Sequence, residues 1–422
     1  MTRRMIARTA GVAFGLALGT TALTNAAFAA DCSVKVGAVL PISIDWGKPI
    51  AEVAQFAVDI VNDAGGVGGC DVQMIVRDSQ GNPSVGVDAA RALVDLDGVK
   101  LLFGDVSSGI TIPILTSVSV PAGVTQISCC SASTALTDLA ARGETKGLWF
   151  RTYATADVQA AVTAQIAADQ KLGSVVVFYK NDDWGQDYQA RVKGYLERMG
   201  IKVTNTVALN DAQPSYRAEV TKGLEGSPEG AILVLYPTEG AVAVREWLSL
   251  GGTQKFVMAN SLRSNEFSEA VGLQYLGEAL GMDNAPPRVP SADAFVAAYT
   301  KRFNAAPDGP GIPNSFDATM IGLLAYQAAG PDATGAEIAA AVSRVTDPAG
   351  TQVTADAAGF AEAAKVLAAG GTVSYQGGTG AVTFDANGDV SAPAVIWSFE
   401  EAGTKEERYL SLDEVNKIIA GN

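Results

Sequence analysis

The chain has 422 residues, 48% of them hydrophobic, and a net charge of −15 from 30 basic and 45 acidic side chains. That balance excludes nucleic-acid binding, and the regular hydrophobic periods exclude a disordered chain. There is no histidine, which excludes Ser-His-Asp and Cys-His catalysis and any histidine-ligated metal.

Residues 1–29 read as an export signal. Arg3, Arg4 and Arg8 precede an apolar run at 9–23, and "AFA" (27–29) supplies the small residues that a signal peptidase reads. The run is too short and too glycine-rich for a membrane span. Asp31 before Cys32 argues against a lipid-anchored cysteine. The expectation is a mature chain starting at Ala30, periplasmic, soluble and monomeric, with 27 basic against 45 acidic residues.

"VKVGAVL" (34–40) has the run of a buried strand. Ile50, Val53, Ala54, Ala57, Val58 and Val61 then share one helix face, and "AGGVGG" (64–69) ends that helix. "VQMIV" (72–76), "LLFG" (101–104) and "VTQI" (124–127) follow as strands, with helices at 84–96 and between the last two. The alternation starts again with strands at 174–179, 202–209, 231–236 and 255–259 and helices at 185–199, 216–224 and up to 250. The pattern predicts two α/β modules with parallel strands, near 34–150 and 154–282. "DNAPPRVP" (283–290) reads as a linker. Helices near 291–303, 316–329, 334–344 and 357–369 come next, then strands "GAVTF" (380–384) and "APAVIWSFE" (392–400) and a helix near 411–420.

Cys32 and Cys70 each lie two residues before one of the first two strands. Strands joined by one crossover helix are usually neighbours, so a Cys32–Cys70 disulfide is expected in an oxidising compartment. That leaves Cys129 beside Cys130.

In parallel α/β sheets, ligands bind beyond the carboxyl ends of the strands. Those ends carry "PISIDWGKP", "RDSQGNP", "GDVSSG" and "SCCSAS" in the first module, and "KNDDWGQD", "YPTEG" and "ANSLRSN" in the second. They are rich in hydroxyls and amides and hold Trp46, Trp184 and Tyr236. Ser107, Ser108 and Gly109 precede a helix, where they serve either as ordinary caps or as a carboxylate site. Two "WG" dipeptides at equivalent strand ends favour a site shared between the modules.

"GAVLPIS" with "DWG", "NDAGGVGG", "DSQGNP", "GDVSSG", "FRTYATAD", "DDWGQD", "SFDATMIGLLA" and "GGTGAVTFDANGDV" occur in that order. In this order the chain resembles the substrate-binding proteins of branched-chain amino acid ABC importers. The resemblance implies the type I periplasmic binding fold: two Rossmann-like α/β lobes with a three-segment hinge. The implied division is lobe I at 30–152 and 283–376 and lobe II at 153–282. Residues 377–422 would then hold a third crossover, lobe II strands and the terminal helix. It also implies a small polar solute closed between the lobes, delivery to a membrane permease, no cofactor, no metal and no catalysis. By position, Trp46, Trp184, Tyr236 and Phe316 would border the ligand, and Ser108 would hold its carboxylate. Cys130 would offer backbone groups, Ser131 flanks the next position of the site, and Asp157 lies in the segment just after the first crossover. This chain departs from the family at Ala132, where a Thr or Ser is usual, at Cys129 in place of proline, and at Asn260 in place of an acid that meets an α-ammonium. Asp45, Asp105, Asp183 and Glu239 are possible substitutes. Otherwise the ligand is an amide, a urea-like compound or a carboxylic acid without an amine, and a ligand-sensing receptor on the same fold is the alternative role. The Cys129–Cys130 pair at this strand end is either two thiols, a vicinal disulfide or a thiolate pair on a metal.

Overall fold

The computed structural model describes residues 1–2, 32–210 and 213–421. The export signal, from Arg3 onward, lies outside the described residues. Among the described residues no helix is long and apolar enough to cross a membrane.

The first lobe is built on β1 (Ser33–Leu40), β2 (Asp71–Asp78), β3 (Leu101–Gly104), β4 (Thr125–Ser128) and β5 (Trp149–Arg151), all parallel, in the order β2-β1-β3-β4-β5. The helix Lys48–Asp63 buries the six residues that its spacing predicts, Ile50 to Val61. They pack with Val34, Val36 and Ala38 of β1 and with the helix Ile312–Ala329. Asn82 caps the helix Pro83–Asp95 by accepting the N–H groups of Ser84 and Val85.

The second lobe holds β6 (Ser174–Lys180), β7 (Lys202–Leu209), β8 (Gly230–Val234), β9 (Phe256–Met258) and β10 (Leu280–Asn284). A small sheet of β11 (Thr351–Thr354), β12 (Val373–Gly377) and β13 (Gly380–Ala381) sits by the first lobe. The antiparallel pair β14 (Ala394–Glu400) and β15 (Gly403–Leu410) then completes a seven-stranded sheet, β15-β14-β10-β9-β8-β6-β7. The fold is therefore two parallel-sheet α/β lobes flanked by helices.

Several elements differ from the sequence reading. β5, β10, β11, β12 and β15 are strands it did not contain. Asp283 and Asn284, read as linker, close β10. "GAVTF" is a strand only at Gly380–Ala381. The third passage between lobes also moves. Phe384 packs edge-on against Phe150 with ring centroids 5.2 Å apart, and Gly388 O accepts the Arg151 N–H at 2.9 Å. Residues 384–389 thus stay with the first lobe, and the chain crosses between Asp389 and β14.

Buried polar pairs fix these passages. Arg151 is fully buried in ion pairing with Asp389 at 2.7 Å, and it also donates to the Ser131 and Ser133 carbonyls and to Thr137. Thr152 donates to Asn314 O at 2.7 Å, and Asn314 returns a bond to Thr152 O. Asp317 accepts from Tyr375, Gly378 N and both the N–H and hydroxyl of Thr379. Cys32 is bonded to Cys70 and Cys129 to Cys130, and no described cysteine is free.

Candidate functional site

In the first sheet the strand order reverses between β1 and β3, and in the second between β6 and β8. The helices leaving two such neighbours go to opposite faces, which opens a crevice at the carboxyl ends. Trp46 follows β1, Ser107 and Ser108 follow β3, Trp184 follows β6 and Tyr236 follows β8. The two switch points face each other across the lobes and bound a cavity of about 390 Å³, within the usual size of a small-molecule site.

The lobes touch around it. Tyr236 stacks on Trp184 of its own lobe at 5.2 Å and on Trp46 of the other at 5.6 Å, with interplanar angles of 24° and 13°. The Tyr236 hydroxyl donates to Ser107 Oγ at 3.2 Å. Away from the cavity, Asp187 accepts from the N–H and hydroxyl of Thr134 at 2.8 and 2.9 Å.

Trp46, Ser108, Cys130, Trp184, Tyr236 and Asn260 all line the cavity. Ser131, Asp157 and Phe316 do not line it. Ser131 is fully buried, its hydroxyl with Thr111 Oγ1 and Asp105 O. Asp157 sits 3.0 Å from Arg191 and accepts from Tyr195. Phe316 is packed among Phe56 and Phe295 in the first-lobe core. One further expectation needs correction. The Cys130 N–H donates to Ser128 Oγ at 3.2 Å, so that donor is spent inside the protein. Trp184 lines the cavity and also packs: it is 5% exposed, its Nε1–H donates to Gln159 Oε1 at 3.2 Å, and it belongs to the second-lobe core.

The sequence reading missed Tyr153, Arg263 and the turn 309–312, which also line the cavity. Gly311 has φ +82°, and a Cβ there would run into Cys130 Sγ, so the turn needs glycine on both counts. Tyr153 lies in "FRTYATAD" and Arg263 in "ANSLRSN", both stretches already marked out. Hydroxyls and amides dominate both stretches, so a single phenol or guanidinium carries no separate signal there.

Behind the wall runs a polar chain. Asn260 Nδ2 donates to Tyr153 Oη at 3.0 Å, Tyr153 Oη to Asp283 Oδ1 at 2.6 Å, and Arg263 lies 3.4 Å from Asp283 Oδ2. Burial pushes Asp283 above the usual carboxylate range, while Arg263 and the Tyr153 hydroxyl pull it down. Of the acids considered as substitutes for Asn260, Asp45 borders the cavity at its exposed rim. Asp105 is fully buried and pushed up to about 6 by that burial, and Glu239 pairs with Lys180. Across the rim Glu266 is raised by partial burial and by Asp45.

Two α/β lobes with one cavity between facing switch points define a periplasmic-binding-type fold. The profile of the periplasmic binding protein family matches residues 33–404, and the chain belongs to that family, with the type I fold. Leu/Ile/Val-binding protein homolog 1 of Brucella abortus (strain 2308) is 26% identical over 268 residues, 61% of this chain and 68% of that one. The leucine binding protein of Thermotoga maritima MSB8 superposes with a TM-score of 0.72 at 20% identity, over 90% of this chain and 99% of its own. A solute binding protein of an ABC transporter from R. palustris, solved in complex with benzoate, superposes with a TM-score of 0.68 at 14% identity, covering 90% and 96%.

Proposed function

We propose that the protein is an exported, periplasmic solute-binding component of an ABC importer. It captures an amino acid or a related small polar solute between its lobes and hands it to a membrane permease. One observation carries this reading: polar and aromatic groups from both lobes, Ser108 and Trp46 on one side and Asn260 and Tyr236 on the other, meet at a single cavity. A solute touching both sides favours the closed arrangement over the open one, because only the closed form makes both sets of contacts.

The role is binding, not chemistry. Ser108 Oγ accepts the Ser133 N–H at 3.1 Å and has no basic partner among the described residues, so nothing there activates it as a nucleophile. The relatives' names, a Leu/Ile/Val-binding protein homolog and a leucine binding protein, support a solute of amino-acid size. The benzoate complex supports a carboxylate without an amine equally well. A thermal-shift screen over amino acids, amides and aromatic acids tests the reading. A ligand at 100 times its dissociation constant stabilises by about 2.7 kcal/mol, and it should be recovered unchanged after incubation. A solute that is consumed would replace this reading with an enzymatic one.

A further inference from the structure

We propose that the solute is a carboxylate whose second polar group is an uncharged hydrogen-bond donor, a hydroxyl or an acylated nitrogen, and not a free α-ammonium. The inference rests on the cavity being the solute site, and it follows from counting protons along the cavity wall.

The Tyr153 hydroxyl has one proton. Asp283 Oδ1 lies 2.6 Å away, and Asp283 Oδ2 lies 3.4 Å from the Arg263 guanidinium. A carboxyl held between a guanidinium and a phenol is best assigned as the carboxylate, so it takes that proton. Tyr153 Oη can then only accept from Asn260, at 3.0 Å. This fixes the Asn260 amide with Nδ2 toward Tyr153. Asn260 Oδ1 is left as a buried acceptor with no partner among the described residues, on a cavity-lining side chain that is 9% exposed. A buried carbonyl oxygen without a donor is costly, and a bound solute that brings an N–H or O–H relieves it.

The charge of that donor follows from what surrounds it. An ammonium buried against a neutral amide lacks a counter-charge. Asp283 is spent on Tyr153 and Arg263 behind the wall. The acids that border the cavity, Asp45, Glu266 and Asp308, are exposed at its rim, where water screens them. A neutral hydroxyl or amide donor meets Asn260 Oδ1 without that penalty.

The solute's other polar end meets donors. Ser108 Oγ accepts from Ser133 N, and its own proton has no acceptor among the described residues. Arg263 is the one basic side chain among the described residues lining the cavity. A hydroxyl proton and a guanidinium suit a carboxylate. Trp46, Trp184 and Ile50 supply flat and apolar wall for its body.

The test is calorimetry on wild type and Asn260→Asp with two matched sets. One is leucine, 2-hydroxy-4-methylpentanoate and N-acetylleucine, and the other is phenylalanine, 3-phenyllactate and N-acetylphenylalanine. In the better-fitting set the hydroxy or N-acyl acid should bind wild type at least tenfold tighter than the amino acid, about 1.4 kcal/mol. Asn260→Asp, nearly isosteric, should shift that ratio at least tenfold toward the amino acid. An amino acid that binds wild type as tightly as its hydroxy and N-acyl analogues overturns the proposal, as does failure of all six probes. A parallel thermal-shift screen of sugars, purines and polyamines separates the two levels. A hit there without carboxylate binding removes this solute class and leaves the solute-binding reading. No hit in either assay removes both.

Discussion

Replacing Ser108 with alanine should do two separable things. Ser108 Oγ accepts the Ser133 N–H at 3.1 Å, with Ser108 1% exposed and Ser133 fully buried. That bond exists with or without solute, so its loss lowers stability and leaves the binding equilibrium alone. An orphaned buried N–H costs about 1–3 kcal/mol. The Ser108 proton points the other way in the bookkeeping, toward whatever fills the cavity. A hydrogen bond to a charged oxygen contributes about 1.5–3 kcal/mol, so its loss should weaken binding by roughly one to two decades. Urea unfolding without solute reads the first effect, and calorimetry with the tightest solute of the screen reads the second. A variant that loses stability but keeps its affinity within twofold would refute the reasoning, because Ser108 would then be a structural hydroxyl and no part of the site.

Asp389→Ala should destabilise by about 3–5 kcal/mol, because it strands the fully buried Arg151 guanidinium; a loss below 1 kcal/mol in chemical denaturation would show that the pair does not hold the hinge. Asp105 stands at about 6 folded against an ordinary 3.8, so its contribution to stability is full below pH 3.8 and is lost as pH rises through 6. Wild type should therefore lose about 2 kcal/mol relative to Asp105→Asn between pH 4 and 7, and parallel pH–stability curves would contradict the burial argument. Breaking the Cys32–Cys70 bridge by double serine substitution should cost about 4 kcal/mol from the entropy of a 38-residue loop. An unchanged unfolding midpoint would mean that the unfolded chain gains no freedom from its loss.

What the sequence shows of this fold depends on how far away each residue's partner lies. Helix Lys48–Asp63 was legible because its apolar face repeats every turn, so the stripe shows in the sequence even though one of its partners, the helix Ile312–Ala329, lies far along the chain. β5 was not legible: it is three residues long and ends on Arg151, a charge that argues against a buried strand until Asp389 is brought beside it from 238 residues on. β10 ends on Asp283 and Asn284 just before two prolines, so local composition reads as linker, yet Tyr153 and Arg263 make the carboxylate tolerable inside a sheet. β15 is an edge strand with charges at both faces, so it has no alternation to detect.

The site divides in the same way. Trp46, Ser108, Trp184 and Tyr236 could be placed together because each lies just beyond the carboxyl end of a strand, where parallel α/β sheets bind ligands, and because the resemblance assigns all four to the ligand. Phe316 and Asp157 could not be excluded by position, since each lies within a turn or two of the cavity and only packing decides which way it faces. The bond from Cys130 N to Ser128 Oγ is a local turn that competes with ligand for the same donor. Arg263 was hidden by its charge, because its anchor, Asp283, was itself misread as linker.

A crystal structure with the tightest solute of the screen tests the central claim most directly. The account predicts density in the cavity between the lobes, with a solute oxygen within hydrogen-bond distance of Ser108 Oγ and a solute donor on Asn260 Oδ1, so that one molecule touches both lobes. Density on a single lobe would contradict it, and so would density in the second cavity beside Asn284, Pro286 and Pro287 at the hinge.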